Sequence, residues 1–274
     1  MPDTLLENQN ASRRLKPAPP AGVVMLAGPG RSTRIVYHAL AREFSIHAVI
    51  IEDAVARAPF LVRRIKKLGF AAVAGQILFR SLAAPWLARS ARQRIAEIKT
   101  QWKLDDSPIE PEKIVRVRSV NSPEAIEALK RLDPAVVIVN GTRIISKKTL
   151  DAARAVFINT HAGITPRYRG VHGAYWALVE GNRGACGVTV HRVDSGIDTG
   201  PVLAQSTIDP SGNDNFATYP LLQLAAGLPE LRKAARNAIN GGAPALDPPA
   251  MESKLWSHPT LWQYFRYRWQ KGVR

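Results

Sequence analysis

The chain has 274 residues, of which 46% are hydrophobic, and it carries a formal net charge of +16 at pH 7. This length and apolar content suffice for one large α/β domain or two small ones, and they exclude a chain too polar to bury a core. No apolar run of about 18 residues is free of charge, so we expect no membrane-spanning helix. Cys186 is the only cysteine, which excludes an internal disulfide and suits a reducing cytoplasm.

The positive charge is unevenly placed along the chain. Residues 57–96 contain nine basic residues and no acidic one, and residues 253–274 contain five, again with no acid. Such asymmetry predicts an anionic partner for these two segments: a nucleic acid, a phosphorylated substrate or a membrane surface. A membrane partner would make the cytoplasmic protein peripheral at the membrane. The alternative, given equal weight, is a solvated basic face without a partner.

Strand and helix patterns alternate along the first half of the chain. Residues 1–20 are polar and proline-rich, lack the apolar core of a secretory signal, and are interpreted as a flexible arm. An apolar run at 22–27 predicts a buried strand that ends in a glycine turn, and Ser32 or Thr33 is expected to cap the following helix. Further strands are predicted at 47–51, 113–120 and 135–139, with a helix at 122–131. This alternation predicts an α/β fold, a doubly wound and mostly parallel sheet with helices on both faces.

The second half continues the pattern, and two segments stand outside it. Strands are predicted at 155–158, 187–191 and 202–208, and a helix at 216–240 that Gly241 stops. Residues 57–108 are interpreted as a basic helical insertion, two amphipathic helices broken near 81–85. Residues 243–274 form a basic tail in which Trp262, Phe265 and Trp269 have helical spacing. The predicted domain is thus 21–242, with the insertion inside it and the tail after it.

A group of polar residues between 157 and 205 points to acyl transfer. Asn159 and His161 are two apart at the end of a predicted strand, so both side chains face the same way. Asp198 lies in a predicted tight loop that includes Gly196 and Gly200. An amide and a protonated imidazole can donate hydrogen bonds to an oxyanion, and a carboxylate nearby favours the imidazolium. Each residue alone is more often structural than catalytic.

The chain resembles the folate-dependent formyltransferase family over about 22–242, with the insertion excepted. The resemblance is carried by Asn159-x-His161, by Pro-Arg-Tyr-Arg-Gly at 166–170, and by Asp198 in an Asp-x-Gly-Pro loop. It implies a Rossmann-like formyltransferase fold and a one-carbon transferase. It also implies that Asn159 and His161 stabilise the tetrahedral intermediate, while Asp198 supports the imidazole and proton transfer.

The same resemblance implies that the donor is the co-substrate 10-formyltetrahydrofolate, with no metal. We find no metal-ligand spacing in the sequence, and His172 and His191 receive no role. The resemblance places the pterin pocket on two segments, listed here: Thr142, Arg143, Ile144, Ile145, Val193, Asp194, Ser195, Gly196 and Ile197. Ile144 and Ile145 are equally plausible as core residues.

The acceptor is less well defined than the donor. The loop at 28–32 resembles the phosphate loop of glycinamide ribonucleotide formyltransferases, although Pro29 removes one N–H and Arg31 is additional. The acceptor contacts implied by the resemblance are Gly28, Gly30, Ser32, Arg169 and Gly170. Residues 162–165 also depart from the family's usual sequence next to the acceptor.

Three acceptors therefore stay open. A small, phosphorylated amine is expected, either glycinamide ribonucleotide, which would place the chain in purine biosynthesis, or an amino-sugar nucleotide. An aminoacyl-tRNA is the alternative, but the roughly 30 residues after Gly242 are too few for a C-terminal barrel of the kind that binds tRNA. A further alternative is a formyltransferase scaffold used for binding a membrane or a nucleic acid.

Overall fold

A seven-stranded sheet forms the centre of the protein in the computed structural model, which describes residues 22–54, 57–242, 244–247 and 251–274. The predicted arm at 1–20 lies outside the described residues. The spatial order of the strands is β3-β2-β1-β4-β5-β7-β8. The strands are β1 Val23–Ala27, β2 Ile46–Glu52, β3 Ile114–Val117, β4 Val136–Asn140, β5 Val156–His161, β7 Gly187–Arg192 and β8 Val202–Thr207, while the short β6 Arg169–Gly170 pairs with β9 Leu255–Trp256.

The first five strands of this order are parallel, and β7 runs antiparallel to both β5 and β8. The helices are α1 Arg31–Ala41, α2 Arg57–Leu68, α3 Phe70–Leu78, α4 Ala84–Ser90, α5 Arg92–Gln101, α6 Pro123–Leu132, α7 Lys147–Leu150, α8 Gly173–Val179, α9 Tyr219–Ile239 and α10 Leu261–Lys271. The predicted doubly wound, mostly parallel sheet is confirmed.

Alternate residues of the strands divide the sheet between two cores. Val23 and Met25 of β1 face a core shared with α1, α5 and α9, whereas Val24 and Leu26 face a second core shared with α6. This follows from the period of two in a strand, which sends successive side chains to opposite faces. The sheet is therefore covered on both sides, and α5, through the fully buried Ile98, belongs to the main core.

A third core joins the predicted insertion to the C-terminal tail. Phe79 and Tyr264 are fully buried there, with ring centroids 5.1 Å apart, and Tyr175 of α8 packs beside them. A Cβ atom on Gly75 would lie 2.2 Å from the ring of Trp262, so α10 rests closely on α3. The insertion and the tail are thus one packed unit on the flank of the sheet.

The start of α1 differs from the prediction. The helix begins at Arg31 directly after Gly30, so Ser32 and Thr33 lie inside it and neither caps it. The Thr33 hydroxyl instead donates to the Gly28 carbonyl at 2.6 Å. By contrast, Ser122 caps α6 as expected, because its hydroxyl accepts from the Ala125 N–H.

The insertion also differs from the prediction. Its helices break at Gly69, where φ is 84°, and at Ala91, not near 81–85. Between them α3, a π-helical turn at Phe79–Ala83 and α4 form one continuous helix, and Pro85 lies just after the π-helical turn. By length and composition alone, this Phe70–Ser90 helix is long and apolar enough to cross a membrane, although it contains Arg80 and Arg89.

Candidate active site

A cavity of about 350 Å³ opens at the carboxyl ends of β4 and β5. The strand order places β1 next to β4, and from these two strands the chain proceeds towards opposite edges of the sheet. In doubly wound sheets, ligands bind in the crevice at this switch point. The cavity lies at the same edge of the sheet as this switch point, one strand further along, because β4 and β5 line it and β1 does not.

Asn159 and His161 both line this cavity from β5, as their spacing predicts. The amide nitrogen of Asn159 lies 3.1 Å from Nε2 of His191, which sits directly opposite on β7. Nδ1 of His191 is 2.7 Å from the Arg192 carbonyl, which can only accept, so Nδ1 carries the proton and Nε2 accepts from Asn159. The amide of Asn159 has two N–H bonds, and the second can serve a substrate oxygen.

Asp198 lies between the two imidazoles. One carboxylate oxygen is 3.3 Å from Nδ1 of His161, and the other is 3.7 Å from Nε2 of His191. The Gly170 N–H donates to the same carboxylate at 2.9 Å. Burial raises the pKa of Asp198, but the contacts with His191, His161 and Gly170 outweigh it and hold that pKa below its usual range. Asp198 is therefore an ionised carboxylate at neutral pH.

The His161 ring is 5% exposed and uses both nitrogens within the protein. Its Nε2 donates to the Tyr168 carbonyl at 2.6 Å, so a neutral ring turns the Nδ1 lone pair towards Asp198. Burial lowers the pKa of His161, and the charge of Asp198 opposes this only in part. The carboxylate therefore favours the imidazolium, as expected, while burial opposes it, and the His161–Asp198 pair can hold and release a proton at Nδ1.

The turn after β5 holds His161 in this position through close backbone packing. A Cβ atom on Gly163 would lie 2.2 Å from the Tyr168 carbonyl oxygen and 2.7 Å from Nε2 of His161. Only glycine permits this approach. The turn therefore fixes the hydrogen bond that assigns the His161 proton to Nε2.

Of the nine residues predicted for the donor pocket, all but Ser195 line the cavity. Ile145 is 3% exposed and belongs to the core, whereas Ile144 is 56% exposed at the cavity, so the core interpretation holds for Ile145 alone. The Nε atom of Arg143 lies 2.5 Å from the Glu52 carboxylate, and its guanidinium also donates to the Asp53 carbonyl. The charge of Arg143 thus anchors the 141–145 loop.

The predicted acceptor residues are arranged differently. Gly170 lines the cavity, while Gly28, Gly30, Ser32 and Arg169 do not. The Gly28 N–H donates to the Asn140 carbonyl at 3.0 Å, and the Asn140 amide donates to Ser32 at 3.2 Å. Arg169 donates to the Ile197 carbonyl. Asn140 at the end of β4 therefore takes up the Gly28 N–H that was expected to bind a phosphate, and it also contacts the Ser32 hydroxyl.

The loop nevertheless borders a second concavity, of about 690 Å³, on the side of α4 and α5. Four cationic side chains line it: Arg31, Arg89, Arg92 and Lys99. Arg31 and Lys99 both contact the carboxylate of Asp106. The sequence signal for this region was the acid-free run 57–96, which did not identify a concave site.

His191 is the site residue to which the sequence assigned no role. It is separated by 32 positions from Asn159 and meets it only because β7 pairs antiparallel with β5. The available signal was its place in a predicted strand of the same segment. Among the described residues, no group of histidine, cysteine and acidic side chains is placed to hold a metal ion.

Comparison with known proteins supports the interpretation of this site. Residues 87–219, just under half of the chain, match the family described as Formyl transferase. A methionyl-tRNA formyltransferase from Kosmotoga olearia is 34% identical over 106 residues, 38% of this chain and 34% of its own length. One from Sorangium cellulosum is 34% identical over 167 residues, 59% of this chain and 51% of its own length. The chain thus spans about half or less of these curated relatives.

Solved structures of formyltransferases share the fold at low sequence identity. Glycinamide ribonucleotide transformylase 1 from Symbiobacterium toebii has a TM-score of 0.53 at 20% identity, covering 83% of this chain and 94% of its own. A sugar N-formyltransferase from a Shewanella species has a TM-score of 0.52 at 12% identity, covering 85% and 76%. The resemblance to formyltransferases is therefore confirmed: residues 87–219 match the model of that family, and the chain shares the fold of these solved structures.

Proposed function

We propose that this chain transfers a formyl group from 10-formyltetrahydrofolate to a primary amine. The observation that carries the proposal is the polar network of Asn159, His191, Asp198 and His161, which lines the cavity at the end of β5. The domain that contains this network is a formyl transferase domain. The network supplies a hydrogen-bond donor and a proton acceptor, the two groups that the reaction requires.

The reaction needs stabilisation of an oxyanion. When the amine nitrogen attacks the formyl carbon, the carbonyl oxygen becomes negative, and the Asn159 amide donates a hydrogen bond to it. Removal of one such donor costs about 3 kcal/mol of transition-state stabilisation. His191 holds the amide in this orientation, because its Nε2 accepts the other N–H.

The reaction also moves one proton. The attacking nitrogen loses a proton as its bond to the formyl carbon forms, and the His161–Asp198 pair accepts it. As the bond between the formyl carbon and the folate nitrogen breaks, the pair returns that proton to the leaving nitrogen. His161 Nδ1 and the Asp198 carboxylate, 3.3 Å apart, can hold this proton between them until it is returned.

The donor is proposed to bind between the 141–145 loop and residues 193–198. A cavity of about 350 Å³ matches the lower end of small-molecule sites. Ile144 and Ile197, 56% and 39% exposed, offer apolar surface for a planar ring. Asn121 fixes the loop by donating to the Ile144 carbonyl at 2.9 Å.

The acceptor is proposed to be a small amine that carries a phosphate, such as glycinamide ribonucleotide or an amino-sugar nucleotide. The basic concavity with Arg31, Arg89 and Arg92 supports this, because guanidinium groups bind phosphate well. It lies beside the glycine loop, and a Cβ atom on Gly28 would be 2.4 Å from the carbonyl oxygen of Gly141 at the cavity. An aminoacyl-tRNA is the second candidate, favoured by the names of the curated relatives.

The test is release of tetrahydrofolate from 10-formyltetrahydrofolate in the presence of single candidate amines. Glycinamide ribonucleotide, amino-sugar nucleotides and methionyl-tRNA form the panel. We expect turnover with one class and none without an amine. A folded protein that binds the donor and turns over with none of these amines would contradict the proposed acceptors.

The basic concavity can be tested with Arg31→Ala. We expect the KM for a phosphorylated amine to rise about tenfold with little change in kcat, because a bound phosphate contact is lost in ground and transition states alike. The exposed Arg154, changed to alanine, is the matched control. If the KM for the phosphorylated amine is the same in both variants, the concavity is not part of the acceptor site.

A further inference from the structure

Large hydrophobic side chains are exposed in one part of the protein more than elsewhere. Among the described residues, seventeen such side chains are exposed, and eleven belong to α2, to the helix Phe70–Ser90 and to α10. We call these exposed side chains the apolar face. Scattered single hydrophobics on a surface are ordinary, but a concentration of this kind marks a binding surface.

The Phe70–Ser90 helix is apolar on both of its sides. Its inner side packs into the third core through Phe79, Ala83 and Leu87, which are at most 5% exposed. Its outer side presents Phe70 at 73%, Leu82 at 59% and Trp86 at 55% exposure. A surface helix of a globular protein usually carries polar residues on the outer side, so this outer side is built for a second apolar environment.

Helix α10 extends the same face with aromatic side chains. Trp262, Phe265 and Trp269 are spaced at i, i+3 and i+7, and they are 50%, 52% and 86% exposed. Tyr264, on the other side of the helix, is fully buried. Because Trp262 packs on Gly75 of α3, the two helices form a continuous surface.

The charge around the apolar face has one sign. The acid-free segments 57–96 and 253–274 supply it, and Lys66, Lys67 and Arg266 are exposed beside the hydrophobic side chains. Aromatic and aliphatic residues together with lysine and arginine are the composition of a surface that lies in the headgroup region of an anionic bilayer. In that region the hydrophobic side chains can contact acyl chains, and the lysines and arginines can contact lipid phosphates.

A second copy of the chain, a nucleic acid or a membrane-spanning orientation matches the apolar face less well than a bilayer surface does. Two copies of the chain would bring two strongly positive surfaces together, which is unfavourable. A nucleic acid would engage the cations and the rings but leave the aliphatic Ile77, Leu78 and Leu82 in contact with phosphates or water. A spanning orientation of Phe70–Ser90 would strip Phe79 and Leu87 from the core that buries them.

We propose that the apolar face binds the surface of an anionic lipid bilayer, with the exposed aromatic side chains inserted among the headgroups and the flanking lysines and arginines on the lipid phosphates. The helices lie in the plane of the membrane and do not cross it. This surface is separate from the site proposed for formyl transfer, so each proposal can fail without the other.

The experiment is flotation of the full chain with phosphatidylcholine vesicles, made with and without phosphatidylglycerol. We expect flotation with the anionic vesicles, a strong decrease at high salt, and little binding to neutral vesicles. Phe70→Ser combined with Trp269→Ser should weaken binding by about tenfold for each aromatic side chain lost. Both residues are largely exposed, so the variant should keep the wild-type affinity for the donor.

The matched control is Trp102→Ser. Trp102 is 43% exposed at the end of α5, outside the apolar face, and its loss should not change flotation. Absence of flotation, equal flotation of the double variant, or equal binding to neutral vesicles would overturn the proposal. So would flotation that resists alkaline carbonate, the mark of a spanning helix, or a dimer or RNA complex that forms through Phe70 and Trp269 while vesicles do not bind.

Discussion

Two regions of the protein depart in opposite ways from the usual distribution of polar and apolar residues. One is the cavity at the end of β5, and the other is the apolar face on α2, the Phe70–Ser90 helix and α10. At the cavity, ionisable side chains are buried: His161 and His191 are 5% and 3% exposed. On the apolar face, Phe70 and Trp269 are 73% and 86% exposed. Buried polar groups and exposed apolar surface both cost stability unless something offsets that cost. We infer two separate functions from these departures: formyl transfer at the cavity and membrane binding at the apolar face.

The largest expected effect is on the reaction at the cavity, and it should leave binding to vesicles unchanged. Asn159→Ala should lower kcat for formyl transfer about a hundredfold to a thousandfold, because the oxyanion loses its amide donor. Vesicle flotation should stay at the wild-type level, since Asn159 is in the cavity. Initial rates of tetrahydrofolate release and flotation of the same preparation check this. If kcat falls by less than tenfold in a folded variant, Asn159 does not stabilise the oxyanion.

His191→Phe should have the next largest effect. The ring accepts from the Asn159 amide, so its removal leaves that donor less well oriented, and we expect kcat to fall by about tenfold to a hundredfold. His191→Gln can accept the same hydrogen bond and should recover part of the loss. Equal rates for the two variants, with unchanged pH profiles, would mean that His191 has only a structural role.

Gly163→Ala should weaken the site through packing. The new methyl group would lie 2.2 Å from the Tyr168 carbonyl oxygen, which belongs to the backbone and can move little. We expect a decrease of about 1–3 kcal/mol in the free energy of unfolding, with a lower kcat. Gly184→Ala is the control, since a Cβ atom there meets nothing within 4 Å. Urea unfolding of both variants measures the difference, and equal stabilities would show that the turn after β5 tolerates a side chain.

The smallest expected effect concerns the contact between the start of α8 and the C-terminal tail. Nε2 of His172 and Nδ1 of His258 are 2.8 Å apart, and burial lowers their pKa values to about 3 and about 4. Unfolded histidines, with a pKa of about 6.5, bind protons that the folded state excludes. The free energy of unfolding should therefore decrease as pH falls from about 6.5 towards 4.

His258→Gln should reduce this pH dependence while keeping a polar side chain. Urea unfolding at about pH 7.5 and about pH 5 gives the comparison for both proteins. The slope with pH should be smaller in the variant. The same slope in both would show that His258 does not contribute to the acid sensitivity.

Local patterns predicted most of the fold and part of the site. Apolar runs located β1 and β4, and the spacing of Asn159 and His161 on a strand correctly placed both on the cavity. His191 was not assigned, because its contact with Asn159 depends on which strands pair, a non-local property. The burial of His161 and its hydrogen bond to the Tyr168 carbonyl were not predicted either, since both depend on how the turn after β5 folds back.

For the apolar face, too, local patterns predicted the secondary structure but not the contacts with other elements. The spacing of Trp262, Phe265 and Trp269 predicts a helix with one aromatic side, and α10 confirms the helix. Spacing alone could not decide whether another element covers that side. The position of the break in the insertion was also wrong, because a π-helical turn accommodates residues 79–83 without ending the helix.

The central claim is that the network around Asp198 transfers a formyl group. Its most direct test is single-turnover formation of tetrahydrofolate from 10-formyltetrahydrofolate and the best amine of the panel, compared between wild type and Asn159→Ala at saturating donor. We predict a rate for the variant about a hundredfold lower or more, with donor affinity retained. Equal rates for the two proteins, or no product from a wild-type protein that binds both ligands, would contradict the claim.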